Sequence, residues 1–469
     1  MSPNVLVILS DQLRRQALGC YGDPNVATPN IDALAWEGVR FTQACSTYPI
    51  CVPFRFTLMT GHYGHSRFVP GIEWRMSPAE TTLADVFNAA GYHTIYCGKW
   101  HLYGGHAHLP KHTARKTNLT WIPPEHQGRW QRWLGFDVAN NPFDTYYFED
   151  ADPRPRRLPR YQTDGLFDLV MDDLAGRPRD AAPFMCVLSV EPPHFPLDAP
   201  QADLARWEGR DLTLPPNFMV RDERPTPARL ADAAQMEKLL DNLRTYYAMI
   251  ENLDQNVGRM LSFLEAEGLS ENTIVVLVSD HGQMDGAHAE RSTIKAHPYE
   301  ESIGIPLIVR DPRYRHRRGL VVSSPVATED LFPTLAGLAG VAPPVGLPGA
   351  DSSPLVRGEI ARLPRDGVLL EFVHDLRPAF PYHGVYWRGF RSDRFKYTVL
   401  GDAETGGMPW QFYDLQDDPY EMHNRVDDPA SRGLVVQHHR WMRERMVETN
   451  DHYVLASAFG VAGLNLWTS

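Results

Sequence analysis

What this chain has little of narrows its class before any motif is read. Cysteine is scarce: five in 469 residues, at positions 20, 45, 51, 97 and 186, an odd number without the spacing of a disulfide framework. No apolar stretch approaches the length of a membrane span. There is no internal repeat and no low-complexity tract. Positive charge is in deficit, with 46 Lys and Arg against 58 Asp and Glu and a formal net charge of −12. That balance argues against a nucleic-acid partner or an anionic membrane surface. It leaves an anionic substrate open, because local charge governs a pocket. The first strand pattern begins at about Asn4, too early for a signal peptide to precede it. A cytoplasmic location is therefore expected unless a leader has been removed.

The composition that is present, 43% hydrophobic and 22% charged, is that of a soluble globular protein. The length exceeds one ordinary core and predicts a large domain over residues 1–365 and a small one over 366–469. Val5 to Leu9 and Thr273 to Val278 are continuous apolar runs, the mark of strands buried on both faces of a parallel sheet. The first ends in Ser10-Asp11-Gln12 and the second in Ser279-Asp280-His281-Gly282. Ligands of open α/β sheets bind at the carboxyl ends of the strands, so these two carboxylates are informative together. Further strands are predicted at Val39–Ala44, His93–Cys97, Phe184–Val190 and Pro306–Val309. Helices are predicted after Thr28, over Thr81–Ala90, Leu230–Glu267 and Asp330–Gly340. The stretch from Gly104 to Arg160 reads as long loops over the site. Its part between His106 and Arg160, with the turn His374 to His383, is expected to select the substrate. Short strands at Val368–Phe372, Val385–Phe390, Arg394–Val399 and Gln411–Leu415, then a helix over 430–447, predict a C-terminal antiparallel sheet.

The stretch Cys51-Val52-Pro53-Phe54-Arg55-Phe56-Thr57-Leu58-Met59-Thr60-Gly61 organises the rest. Pro53 suits the first turn of a helix and Gly61 can close it. Cys51 then stands at a helix N-terminus, where free N–H groups and the dipole favour an anion, with Arg55 one turn on. In that field the thiol is expected to be acidic and exposed. For a lone cysteine, simple packing before a helix is the commoner case; Pro53 and Arg55 weigh against it.

Cys-x-Pro-x-Arg followed by Leu-x-Thr-Gly resembles the signature of the type I sulfatases of the alkaline phosphatase superfamily. The family usually has Ser at the position of Phe54. The resemblance implies an α/β fold with a large, mostly parallel mixed sheet flanked by helices and a small C-terminal antiparallel α+β unit. It also implies that a maturation enzyme oxidises Cys51 to formylglycine, whose hydrate is the nucleophile. Asp11, Gln12, Asp280, His281 and the modified Cys51 are then the metal set. Their oxygens suit a hard divalent cation, Ca²⁺ first, with Mn²⁺ or Mg²⁺ open. Gly98-Lys99-Trp100-His101, Pro193-His194-Phe195-Pro196 and Lys295 before Tyr299-Glu300-Glu301-Ser302 are similar to family motifs, in family order. Tyr413-Asp414-Leu415 with Asp418, Pro419 and Glu421 extends the likeness. By resemblance, Arg55 orients the nucleophile, Lys99 and Lys295 bind sulfate oxygens, and His194 protonates the leaving alcohol. His101 takes the proton that expels sulfate. Any one of these residues alone is more often a solvated lysine or a structural histidine; their order along residues 4–310 makes coincidence a poor account.

The expected activity is hydrolysis of an organic sulfate ester, with a sulfated carbohydrate as the leading substrate class. Asp11-Gln12 is also similar to the phosphonate monoester hydrolase branch, so hydrolysis of phosphonates or phosphate diesters is the runner-up. Lys99 and His101 favour the sulfatase. A catalytically silent binding homologue, with Cys51 kept as a thiol, is the third reading.

Overall fold

The computed structural model describes residues 2–104, 119–178, 181–220, 233–290, 294–373, 386–401, 406–453 and 455. Strands β1 (Asn4–Asp11), β2 (Val39–Phe41), β3 (Ala44–Cys45), β4 (His93–Lys99), β5 (Arg132–Phe136) and β6 (Tyr146–Glu149) come first. Next come β7 (Arg156–Arg157), β8 (Phe184–Pro193), β9 (Thr273–Ser279), β10 (Leu307–Arg310), β11 (Leu320–Val322) and β12 (Val326–Ala327). Ten of these form one sheet in the order β11-β2-β10-β9-β1-β8-β4-β5-β6-β7, and β3 pairs with β12. The five central strands, β5-β4-β8-β1-β9, run parallel, and antiparallel pairing enters at β10 and β6.

Alternation along β1 explains the layers. Val5, Val7 and Leu9 face one hydrophobic cluster, while Leu6 and Ile8 face the other. A strand with both faces covered has no polar side to show, which is why its sequence is a continuous apolar run. Helices α1 (Pro29–Glu37), α2 (Cys51–Thr60), α3 (Leu83–Ala89), α4 (Gln162–Ala175), α5 (Gln201–Leu204) and α6 (Ala233–Ala266) divide between the faces. Phe54 and Phe56 of α2 and Leu83 and Phe87 of α3 join the Val5 cluster; Ile31, Leu166 and Leu243 of α1, α4 and α6 join the other. Later come α7 (Glu300–Ile303), α8 (Thr328–Ala339), α9 (Ser353–Arg357) and α10 (Arg432–Glu448). No helix among the described residues is long and apolar enough to cross a membrane.

Strands β13 (Gly367–Phe372), β14 (Tyr386–Ser392), β15 (Phe395–Gly401) and β16 (Met408–Asp414) form an antiparallel meander. Val368, Leu370, Phe372, Trp387 and Trp410 pack into the same cluster as α2. A buried ion pair strengthens that seam. His65 Nδ1 meets the Glu371 carboxylate, and its Nε2 lies 3.1 Å from the Thr449 carbonyl. Both ring nitrogens face acceptors, so the ring is held as the imidazolium. The observed architecture is the expected class: a large, mostly parallel sheet between helices, with a C-terminal antiparallel sheet. One expectation is corrected. The stretch read as loops from 104 to 160 contains β5, β6 and β7, short strands toward one edge that lack a clear alternating pattern. Residues 105–118 and the turn at 374–383 lie outside the described residues.

Candidate active site

The carboxyl ends of β1, β9, β8 and β4 lie side by side because those strands are parallel and adjacent. They deliver Asp11 and Gln12, Asp280 and His281, His194, and Lys99 to one edge. Helix α2 brings Cys51 there at its first turn. Ile50 before it is extended, and Gly61 in the left-handed region (φ 74°) ends the helix as expected. Gln12 also adopts a left-handed backbone (φ 65°), and its N–H donates to Asp280 Oδ1 at 2.9 Å. Gly282 lets the β9 loop pass close to α7: a Cβ there would lie 2.0 Å from the Glu301 carbonyl oxygen.

Three of the predicted residues reach Cys51 directly. Its Sγ lies 3.1 Å from His281 Nε2, 3.2 Å from Lys295 Nζ and 3.5 Å from Asp11 Oδ1. Arg55 spans the two carboxylates, with Nη2 3.3 Å from Asp11 Oδ2 and 3.2 Å from Asp280 Oδ2. Its Nη1 donates to the Lys99 carbonyl and to Ser189 Oγ, each at 2.8 Å. Lys99 Nζ lies 2.7 Å from Asp11 Oδ2 and 3.5 Å from Glu191 Oε1. Lys295 Nζ also reaches Gln12 Oε1 at 3.0 Å and His194 Nε2 at 3.2 Å. His101 follows β4 with a left-handed backbone (φ 54°), its N–H bonded to the Asp137 carbonyl at 2.9 Å.

Two histidine tautomers follow from these contacts. His281 Nδ1 is 2.9 Å from the Gly282 carbonyl, and His194 Nδ1 is 2.6 Å from the Phe195 carbonyl. A carbonyl only accepts, so each Nδ1 carries the hydrogen and each Nε2 turns a lone pair to the site. For His281 that is the ligating form. The ligand atoms of Asp11, Cys51, Asp280 and His281 all lie within 4.8 Å of one another. Two carboxylates, an imidazole lone pair and the amide oxygen of Gln12 fit a divalent cation by their chemistry.

Electrostatics corrects one expectation. Cys51 is 1% exposed, and burial, reinforced by the Asp11 carboxylate, pushes its thiol up to about 11. The helix terminus and the lysines do not outweigh that, so the thiol is neither exposed nor acidic. Burial also raises Asp280, and the neighbouring Asp11 carboxylate adds to it, reaching about 7. For Asp11 burial acts upward too, but the charges of Lys99, Arg55 and Lys295 outweigh it and hold the carboxyl well below its usual range.

Sequence reading missed the supports. Glu191 accepts the N–H groups of Ala139 and Asn140, at 2.9 and 3.0 Å, while facing Lys99. Ser189 holds Arg55, and Gln283 donates to Asp285 behind Gln12. Glu191 meets Ala139, Asn140 and Lys99, Ser189 meets Arg55, and Gln283 meets Gln12, each a partner distant in sequence, so no local pattern marks them.

Known proteins resemble this chain over nearly its whole length. A family model described as Sulfatase matches residues 3–341, and one described as N-sulphoglucosamine sulphohydrolase, C-terminal, matches residues 293–449. The ulvan-active sulfatase of Formosa agariphila is 31% identical over 456 residues, which cover 96% of this chain and 82% of that one. The endo-4-O-sulfatase of Bacteroides thetaiotaomicron is 27% identical, covering 96% of this chain and 92% of that one. Among solved structures, the sulfatase-like protein yidJ of Bacteroides fragilis matches with a TM-score of 0.81 at 28% identity. That match covers 96% of this chain and 97% of the other.

Proposed function

The chain belongs to the type I sulfatase family and is a sulfuric ester hydrolase, and from that premise we propose that it cleaves a carbohydrate sulfate ester with Cys51 oxidised to formylglycine. The observation that carries this reading is the ring of Asp11, His281 and Lys295 around Cys51 Sγ, with Arg55 behind the carboxylates. The carbohydrate follows the similar proteins, named as acting on ulvan and as an endo-4-O-sulfatase. Cys51 is enclosed by the fold, so its oxidation by a maturation enzyme precedes folding.

Asp11, Gln12, Asp280, His281 and the modified Cys51 would hold a divalent cation, Ca²⁺ by the hardness of the oxygen donors. A cation there would supply charge that lowers the pKa of a nearby hydroxyl. The hydrated aldehyde at position 51 carries two hydroxyls on one carbon. One attacks sulfur and displaces the alcohol; the second loses its proton, sulfate departs, and the aldehyde returns to be hydrated again. Lys99 and Lys295 offset the sulfate oxygens. His194 Nε2 carries a lone pair and faces the Lys295 ammonium, so the proton for the departing alkoxide is drawn from that pair. His101 takes the proton of the second hydroxyl.

The reading is tested by peptide mass spectrometry of position 51 together with a turnover screen. Active protein carrying formylglycine and preferring sulfate monoesters is expected. Activity with unmodified Cys51 overturns the nucleophile, and faster turnover of phosphate diesters overturns the substrate class.

A further inference from the structure

Gln12 differs from the other proposed ligands in one respect. A carboxylate presents oxygen whichever way it turns, but an amide has oxygen on one side and NH₂ on the other. To hold a cation Gln12 must turn its oxygen inward, and nothing in the residue itself selects that. The selection comes from behind the site. Asp285 is acceptor-only when ionised, and Gln283 Nε2 donates to both of its oxygens, 2.9 Å to Oδ1 and 2.8 Å to Oδ2. Arg14 Nη1, 3.6 Å from Asp285 Oδ2, supports the charge. Gln283 Oε1 therefore points the other way, toward Gln12, whose Nε2 donates to it at 2.7 Å. With its NH₂ engaged there, Gln12 leaves Oε1 facing the site, where the donor-only ammonium of Lys295 lies 3.0 Å away.

The line runs from an acceptor-only carboxylate to a donor-only ammonium, with two amides between them. Turning Gln12 alone would set NH₂ against the ammonium and oxygen against oxygen at Gln283. Turning both would set the Gln283 oxygen against Asp285. All three side chains are buried, so water does not repair a mismatch.

The geometry points to Gln283 and Asp285 as positioning residues that set the Gln12 amide with its oxygen toward the cation. The inference rests on the reading of Gln12 as a ligand. It also accounts for an amide rather than a carboxylate of the same length at position 12: a glutamate would turn an oxygen toward Gln283 Oε1, which Asp285 keeps in place.

The test is calorimetric titration of the purified, metal-stripped full chain with Ca²⁺, which reads affinity without turnover. Gln283→Met, similar in length and without a polar end, is expected to bind roughly 10–100-fold more weakly, the usual cost of losing a group that orients a ligand. Asp285→Asn, which lets Gln283 reverse, is expected to weaken binding in the same direction. Gln283→Glu still accepts from Gln12 Nε2 and shares a proton with Asp285, so it is expected to stay near wild type. Wild-type affinity in Gln283→Met or Asp285→Asn, with affinity lost in Gln12→Ala, overturns the relay and leaves the ligand reading standing. Wild-type affinity in Gln12→Ala overturns both. If Gln283→Met fails to fold, Asp285→Asn and Gln283→Glu decide. Variants that lower the thermal midpoint while binding Ca²⁺ as wild type show mere packing and also overturn it.

Discussion

Replacing Arg55 with alanine removes one guanidinium that four buried groups share. The Lys99 carbonyl keeps the Tyr96 hydroxyl as a donor, and Asp11 keeps Lys99 at 2.7 Å. Asp280 loses more, because Arg55 Nη2 at 3.2 Å is its guanidinium partner and Asp11 stands close by with like charge. Removing one partner of a buried ion pair costs ~3–5 kcal/mol, mostly for stranding the other charge. Without metal, and at a pH above the Asp280 value of about 7 so that its carboxyl is ionised, Arg55→Ala is therefore expected to unfold with a free energy ~3–5 kcal/mol below wild type. A divalent cation would sit on the same two carboxylates. Ca²⁺ at 100 times its dissociation constant adds about 2.7 kcal/mol to any form that binds it. The variant, poorer by one positive charge, is expected to bind Ca²⁺ more tightly and gain more than wild type does. Its deficit then shrinks on adding Ca²⁺. The assay is urea unfolding of both proteins in chelator and in excess Ca²⁺. A deficit of equal size in the two conditions, or one below about 1 kcal/mol in chelator, would refute the shared-carboxylate argument.

Two further outcomes are expected. Cys51→Ser supplies one hydroxyl in place of two, so the variant should accept sulfate once and stall as a sulfated protein. Cys51→Ala should accept none, and intact-mass measurement after incubation with a sulfate ester checks both; repeated turnover by an unoxidised serine variant sinks the two-hydroxyl scheme. His65 sets a pH dependence of stability. Burial lowers its pKa, but the Glu371 carboxylate, helped by Asp451, outweighs that and raises it. A group raised on folding contributes fully below its unfolded value of ~6.5, and that contribution is lost as pH rises through the folded value. The gap in unfolding free energy between wild type and His65→Asn should therefore narrow as pH rises above ~6.5; a gap that does not change with pH refutes the ion pair.

The sequence by itself determined the parts of this protein that depend on local pattern. Continuous apolar runs announced β1 and β9, since a strand covered on both faces has no polar side. The carboxylates at their ends, and Cys51 at the start of α2 with Gly61 at its close, follow from the same local logic. The sheet class and the C-terminal meander were legible for the same reason. Strands β5 to β7 were not, because short strands near a sheet edge leave little alternation to read. Tertiary structure alone decided how the motifs meet. Cys51 is a buried thiol of raised pKa because Asp11 and enclosure outweigh the helix terminus. The His281 and His194 tautomers depend on carbonyls of adjacent residues whose direction the backbone sets. Gln12 is separated from Gln283 by 271 residues, and Lys99 meets Glu191 on the neighbouring strand β8. Hydrogen bonds act over about 3 Å whatever the distance along the chain, so a partner that far away in sequence leaves no mark until the sheet brings the strand ends together.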